Sequence, residues 1–348
     1  MTDRSESPVM SRAGNSSRTT NHGITAFSGR SVCHTQPLVC FTKHGLVGAL
    51  TIADSFASVV RSAVHLNRRA HHAEIILAGK REPLVARPII TLTTDYGTND
   101  HLVGTLKGVI LKINPEVTIV DISHDVTPYD LLDGALTIGS SYSYFPPRTI
   151  HVVVVDPGVG TERRPLLVTG DTQYFVAPDN GVLSLVYERE ENILVRHANV
   201  EHYYLQPVSK TFHGRDVFAP LAAWLAKGAQ ASAMGEEITD YKKFAMPKPK
   251  AADGVSKGVV LRVDSFGNII TNFRPEDLPA TAIENGTLQI ALGNHSVNKL
   301  VDTFAKGIPG EPFAYIGSNG FIEIAINRGN ASKSLGIGRG AQVTLAAT

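Results

Sequence analysis

From Pro88 onward the apolar positions follow two periods. Ile89 to Thr94 reads as a strand closed by the turn Asp95-Tyr96-Gly97. Leu102, Val103, Leu106, Val109, Ile110 and Ile113 then recur at helical spacing until Asn114-Pro115 stops them. A second strand, Val117 to Ile122, runs into Ser123-His124-Asp125, and a helix is expected from about Asp130 to Tyr142. Next comes His151-Val-Val-Val-Val-Asp156, a β-branched run of the kind buried on both faces, broken by Pro157, Gly158 and Gly160. This β-α-β-α-β order predicts parallel strands with right-handed crossovers. Short strands follow at 166–168 and 174–176, then helices at 182–187 and 217–226, the latter closing at Lys227-Gly228.

The pattern changes after Met246-Pro247-Lys248-Pro249-Lys250. Short alternating segments at 258–263, 268–273, 287–291, 314–316, 321–325 and 342–345, separated by Gly and Asn turns, predict a small β-barrel or sandwich. The expected fold class is therefore α/β. A mostly parallel domain over 88–246 is joined by a linker, 247–257, to a barrel-like domain over 258–348. Residues 1–87 differ from both. The first thirty are rich in Ser, Thr, Arg and Gly without a sustained period, and a weakly helical stretch from Leu46 to Leu66 precedes a basic patch at Arg68, Arg69, His71 and His72. A transit-type targeting segment and a dispensable extension both fit this composition. The second is the expectation adopted, with a truncation lacking 1–87 expected to fold and turn over normally.

Charge and cysteine content narrow the function classes. The formal net charge of the 348 residues is +1, which gives no electrostatic case for nucleic acid or an acidic membrane surface as partner. No apolar run approaches the ~20 residues of a membrane span. Cys33 and Cys40 are both in the N-terminal stretch, so the body carries neither disulfide nor thiolate metal site, in keeping with a cytoplasmic location.

Polar loops stand at strand ends or helix starts: Asp95-Tyr96-Gly97, Asp156 to Arg163, and His213 to Asp216. A fourth, Asp264-Ser265-Phe266-Gly267-Asn268, interrupts a strand pattern in the second half. A carboxylate at the carboxyl end of a buried strand, followed by a glycine loop, is where open α/β sheets place ligands. Each loop also has an ordinary structural use. Asp95 fits a helix cap, His213 a packed loop histidine, and Asp216 an N-cap.

Taken together, Thr93-Thr94-Asp95-Tyr96-Gly97, Val155-Asp156-Pro157-Gly158-Val159-Gly160-Thr161-Glu162-Arg163-Arg164, Pro178-Asp179-Asn180-Gly181, Thr211-Phe212-His213-Gly214-Arg215-Asp216 and Asp264-Ser265-Phe266-Gly267-Asn268 resemble the S-adenosyl-L-methionine (SAM) hydroxide adenosyltransferases, relatives of the fluorinases and chlorinases. The resemblance runs from about Pro88 to the C-terminus. It implies conversion of SAM and water to adenosine and methionine without cofactor or metal, and a homotrimer with active sites between subunits. It implies Asp156, Arg163 and His213 as the catalytic set. Within that frame Asp95 is expected on the ribose hydroxyls, Asp264 and Ser318 on the methionine ammonium and carboxylate, and Asn268 beside the nucleoside. The backbone around Ile326-Asn327-Arg328 is expected at the adenine edge, with Glu323 as a further candidate.

The chemistry suits those residue types. A sulfonium leaves as a neutral thioether, so the difficulty lies in the nucleophile, because bulk water has a pKa of ~15.7. A guanidinium is no base, but it stabilises hydroxide-like charge. His213 is then the candidate to take the proton, oriented or electrostatically supported by Asp156, and the sequence leaves open which member of the set holds it. Halogenating relatives resemble the same pattern with Tyr in place of Asp156 and of His213, and with an extra loop after 165–169, where this chain has the short turn Gly170-Asp171-Thr172. A metal hydrolase built on His101, His124, His151 and His213 lacks HxH or HxxxH spacing. A non-catalytic nucleoside-binding module would leave Arg163 and His213 unimportant.

Overall fold

The computed structural model describes residues 87–252 and 254–346, so the extension expected over 1–87 lies, Arg87 apart, outside the described residues. Two sheets organise the rest. The first has strand order β2-β1-β3-β5-β4-β6-β7, with β1 Ile89–Thr94, β2 Thr118–Ser123, β3 Ile150–Val154, β4 Pro165–Thr169, β5 Tyr174–Pro178, β6 Leu194–His197 and β7 Glu236–Ile238. β2, β1, β3 and β5 pair in parallel, as the alternation predicts. β4 pairs antiparallel with β5 and β6, and β6 with β7; the four residues joining β4 to β5 are too few to carry a crossover.

All five residues of β3 are buried, which explains the apolar run. Each fully buried valine of this strand contributes ~1.5–3 kcal/mol. Helix α1, Leu102–Ile113, turns Val103, Leu106 and Ile110 inward, and α2, Leu131–Gly139, is capped by Asp130, whose carboxylate accepts from Asp133 N. Helix α3 spans Ser184–Arg189. Helix α4, Ala219–Ala226, is preceded by a π-helical turn over Gly214–Phe218.

The second sheet is antiparallel, ordered β12-β11-β15-β9-β10-β14-β13, with β8 added on β9. Its strands are β8 Lys250–Ala252, β9 Val255–Val263, β10 Ile269–Thr271, β11 Thr287–Leu292, β12 His295–Lys299, β13 Pro312–Ile316, β14 Ile322–Ile326 and β15 Gln342–Ala346. A bridge between Leu300 and Ala314 brings the two edges together into a nearly closed barrel. Part of the expected linker is folded: Lys250–Ala252 doubles back on Val255–Lys257 as a hairpin. Arg262 reaches from β9 to α2, where its Nη1 donates to Thr137 Oγ1 at 3.0 Å and its Nε lies 3.3 Å from Asp133. Among the described residues no helix is long and apolar enough to cross a membrane.

His151 belongs to the core of the first sheet. It is fully buried, with Thr91 Oγ1 2.7 Å from Nδ1 and Gln173 Oε1 2.5 Å from Nε2, and it stacks on Phe175. Gln173 spends its amide on the Phe145 carbonyl, so its oxygen faces the ring and accepts from Nε2–H. Burial lowers the imidazole pKa to about 4 against the hydrogen bond that Nε2–H donates to Gln173. A depressed histidine pKa means that the unfolded chain takes up a proton first. The stabilisation is full above the ordinary pKa of 6.5 and is lost as pH falls toward 4. The whole difference is worth ~3 kcal/mol. Denaturant unfolding between pH 7 and pH 4 should therefore show a steeper loss in the native chain than in His151→Phe. Parallel slopes would contradict this.

Candidate active site

Two residues beyond β3, the chain turns at Asp156 into the glycine loop. Arg163, seven residues on, folds back over it: Nε donates to Asp156 Oδ1 at 2.9 Å and to Oδ2 at 3.0 Å, and Nη2 also pairs with Oδ2. Both side chains are only 5% exposed. The same Nη2 donates to His213 Nδ1 at 2.8 Å, and the guanidinium carbon lies 5.2 Å from the centroid of the Phe218 ring. The three side chains expected as the catalytic set thus touch.

A guanidinium has only donors, so His213 Nδ1 must present a lone pair to it, and the ring proton sits on Nε2. Burial, then the Arg163 charge, hold the His213 pKa below its ordinary value, against the opposing pull of Asp156 and Asp216. One donor atom of this cluster is left over. Arg163 Nη1 is buried and has no protein partner.

Neighbouring side chains hold the two loops in place. Asp216 is fully buried. It accepts from Ser209 N at 2.8 Å and from Arg215 Nε at 2.6 Å, so it ties the loop before His213 to the π-helical turn rather than capping a helix. Arg164 points away from Arg163. Its Nη2 and Nε bond Asp179 at 2.7 and 2.9 Å, and its Nη1 reaches Asp240 at 2.8 Å, a structural tie to the 179–181 turn.

Asp95 caps no helix; Asp100 Oδ1 accepts from Leu102 N instead. Asp95 Oδ2 accepts from Tyr129 N at 2.9 Å, and burial raises the Asp95 pKa against that bond, with Asp156 adding to the rise. Tyr96 contacts Phe212 edge-on at 5.9 Å, and its hydroxyl lies against Gly214, where any Cβ would meet it. Its place beside the histidine loop was not evident from the sequence, where only the Asp95-Tyr96-Gly97 turn marked it.

The candidates of the second half gather elsewhere. A cavity of about 960 Å³ is lined by Asp264, Asn268, Ser318, Glu323, Phe266 and Tyr315 from the barrel, and by Ser123, Asp125 and Thr137 from the first sheet's side. Asp264 Oδ1 accepts from Asn268 N at 2.8 Å, and its Oδ2 from Asn268 Nδ2 at 2.8 Å, which closes the loop over Gly267. Glu323 accepts from the Tyr315 hydroxyl; its burial raises its pKa against that bond, and Asp264 adds to the rise. Phe266 is 77% exposed at the rim. Ile326 does not line this cavity: its side chain packs in the barrel core and its carbonyl accepts from Gly329 N. Asp156, Arg163 and His213 do not line it either. Within one chain the expected site is therefore two clusters.

Known proteins share this arrangement of domains. The model of the SAM hydroxide adenosyltransferase N-terminal domain matches residues 90–235, and that of the C-terminal domain matches 258–344. The chain belongs to the SAM hydroxide adenosyltransferase family. It is 36% identical to an (R)-S-adenosyl-L-methionine hydrolase of Methanocaldococcus jannaschii, over 72% of this chain and 92% of that protein. A fluorinase of an Actinoplanes species is 30% identical over 76% of this chain and 99% of its own length. A crystal structure of an uncharacterized conserved protein from Thermotoga maritima superposes with a TM-score of 0.69 at 34% identity, covering 74% of this chain and 99% of that one. As in the sequence-based expectation for this family's hydrolases, only the short turn 170–173 joins β4 to β5. Among the described residues no group of three or more His, Cys, Asp or Glu is placed to hold a metal ion.

Proposed function

We propose that the protein hydrolyses SAM to adenosine and L-methionine by attack of a guanidinium-held hydroxide, or a water with developing hydroxide character, on C5′. One observation carries this reading: the buried, unpartnered Nη1 of Arg163 beside Asp156 and His213. An unpaired buried donor costs ~1–3 kcal/mol, and more when charged, so an oxygen ligand is the natural partner. On a cation that oxygen is favoured as an anion.

His213 is neutral in this arrangement, and its Nδ1 lone pair is engaged by Arg163, so the imidazole orients the nucleophile through Nε2–H instead of storing its proton. Asp156, bonded by both Nε and Nη2 of Arg163, fixes the guanidinium. The oxygen forms its bond to C5′ as the C5′–S bond breaks, and the electron pair goes to sulfur. The water's other proton leaves to solvent. The leaving thioether is neutral and needs no acid. Attack by an anion on a sulfonium destroys charge, which a water-poor pocket favours.

Asp95 is read as the ribose-binding carboxylate, with Asp264 and Ser318 on the methionine end, Asn268 on the nucleoside and Glu323 at the floor of the cavity. The backbone after Ile326 is read as meeting the adenine. No cofactor beyond the substrate is invoked. We further read the working form as a cytoplasmic homotrimer with active sites between subunits. Its support is the separation of the two clusters within one chain, and the exposed Phe266, Phe304 and Ile316 along the cavity of the second. Incubation with SAM in chloride-free and chloride-containing buffer tests the reaction. Equal formation of adenosine in both is expected, and chloride-dependent 5′-chloroadenosine without adenosine would mean a halogenase.

A further inference from the structure

We propose that Asp121, His124 and Thr94 form a positioning relay that fixes the turn carrying Asp95. The proposal rests on the reading of Asp95 as a substrate-binding carboxylate. Thr94, the last residue of β1, is fully buried, and its Oγ1 lies 2.8 Å from His124 Nδ1. The same oxygen accepts from the backbone N–H of Tyr96 at 3.3 Å. His124 is 5% exposed, and its Nε2 lies 3.1 Å from Asp121 Oδ1, close to it but not aligned as a linear hydrogen bond. Lys107 Nζ holds the other oxygen of Asp121 at 2.6 Å.

A carboxylate only accepts, which favours the imidazole proton on Nε2 and leaves a lone pair on Nδ1. Thr94 then donates its hydroxyl proton to Nδ1 and keeps a lone pair for Tyr96 N–H. The His124 carbonyl meanwhile accepts from Gly97 N at 2.8 Å. One histidine thus grips both sides of the three-residue turn, its ring through Thr94 and its carbonyl directly. Asp95 lies between these grips, with its carboxylate held by Tyr129 N. Although a hydroxyl, an imidazole and a carboxylate in series look like a nucleophilic triad, the buried Thr94 hydroxyl offers substrate no approach. The relay's effect falls on the direction of Asp95 and on Tyr96, which packs against Phe212 beside His213.

Steady-state kinetics of Thr94→Val, Thr94→Ser, Asp121→Ala and Asp95→Ala test this. Thr94→Val keeps the shape and removes the hydroxyl; it should raise KM for SAM about tenfold with kcat within about twofold. Thr94→Ser restores the hydroxyl and should return KM to within about twofold of the native value. Asp121→Ala, at the exposed end of the relay, should raise KM about threefold. If Thr94→Val does not fold, Asp121→Ala decides, and an unchanged KM there overturns the relay. Equal impairment in Thr94→Val and Thr94→Ser overturns it as well. Asp95→Ala separates the two ideas. A raised KM in that variant with an unchanged one in Thr94→Val defeats only the relay, whereas an unchanged KM in Asp95→Ala defeats the substrate-binding reading itself.

Discussion

Arg163→Lys is expected to lower kcat by roughly 10²–10³-fold, the range for removing a preorganised donor to a developing oxyanion. KM for SAM should stay within about threefold, since the interaction is made with the nucleophile and strengthens in the transition state. Lysine keeps the charge, but a single ammonium cannot reproduce the guanidinium fork. In the native chain Nε and Nη2 are spent on Asp156 and His213, and Nη1 is left for the nucleophile. The alanine variant is less informative. Asp156 is 5% exposed, and stranding a buried charge costs ~3–5 kcal/mol and endangers the fold. Steady-state kinetics on the lysine variant, with its unfolding curve as control, provides the check. Native turnover in a folded Arg163→Lys protein would remove Arg163 from the chemistry.

The second large effect is expected at a residue that touches no reacting atom. Gly160 has φ +76°, and a Cβ there would be driven into the carbonyl oxygen of Lys210. Gly160 is three residues before Arg163, and Lys210 is three residues before His213. Backbone meets backbone at this point, so neither side can rotate away, and one loop has to move. The 2.8 Å bond between Arg163 and His213 is what that movement breaks. A displacement near 1 Å in a catalytic arrangement costs about 10²-fold. Gly160→Ala should therefore lose about 10²-fold in kcat while losing only ~1–3 kcal/mol of stability, the range for a strained left-handed residue. Rates and denaturation curves measured on one preparation separate the two effects. Full activity in the variant would show the loops to be more compliant than their contact implies.

Much of this arrangement was legible in the sequence where local pattern and burial coincide. The Val-rich run is a fully buried strand, the spacing over 102–113 is a helix with Val103, Leu106 and Ile110 inside, and the parallel order of the first three strands follows from their crossovers. The catalytic candidates were legible because two loops each carry a compact motif. Less was readable where partners are distant or patterns are short. Strand β12 buries a single side chain, Val297, and its flanking polar residues give no period. The Pro- and Lys-rich stretch before β9 has linker composition, yet residues 250–252 gain strand structure from pairing with their own neighbours.

Polar side chains were the hardest to assign from sequence, because their partners decide their roles. Asp216 has the composition of a helix cap and instead ties a loop seven residues upstream. Arg164 stands beside Arg163 in the same motif, but its partners Asp179 and Asp240 hold it in the scaffold. His124 and His151 offered themselves as metal ligands and are engaged with Thr94 and Thr91. The tautomer of His213, on which the division of labour with Arg163 turns, is set by one contact across fifty residues.

A single-turnover reaction in heavy-oxygen water with chloride present tests the central claim most directly. If Arg163 delivers a solvent oxygen to C5′, mass spectrometry will find one heavy oxygen in adenosine, at the 5′ position, and none in methionine. Label in methionine, or a chlorinated nucleoside in place of adenosine, would contradict it.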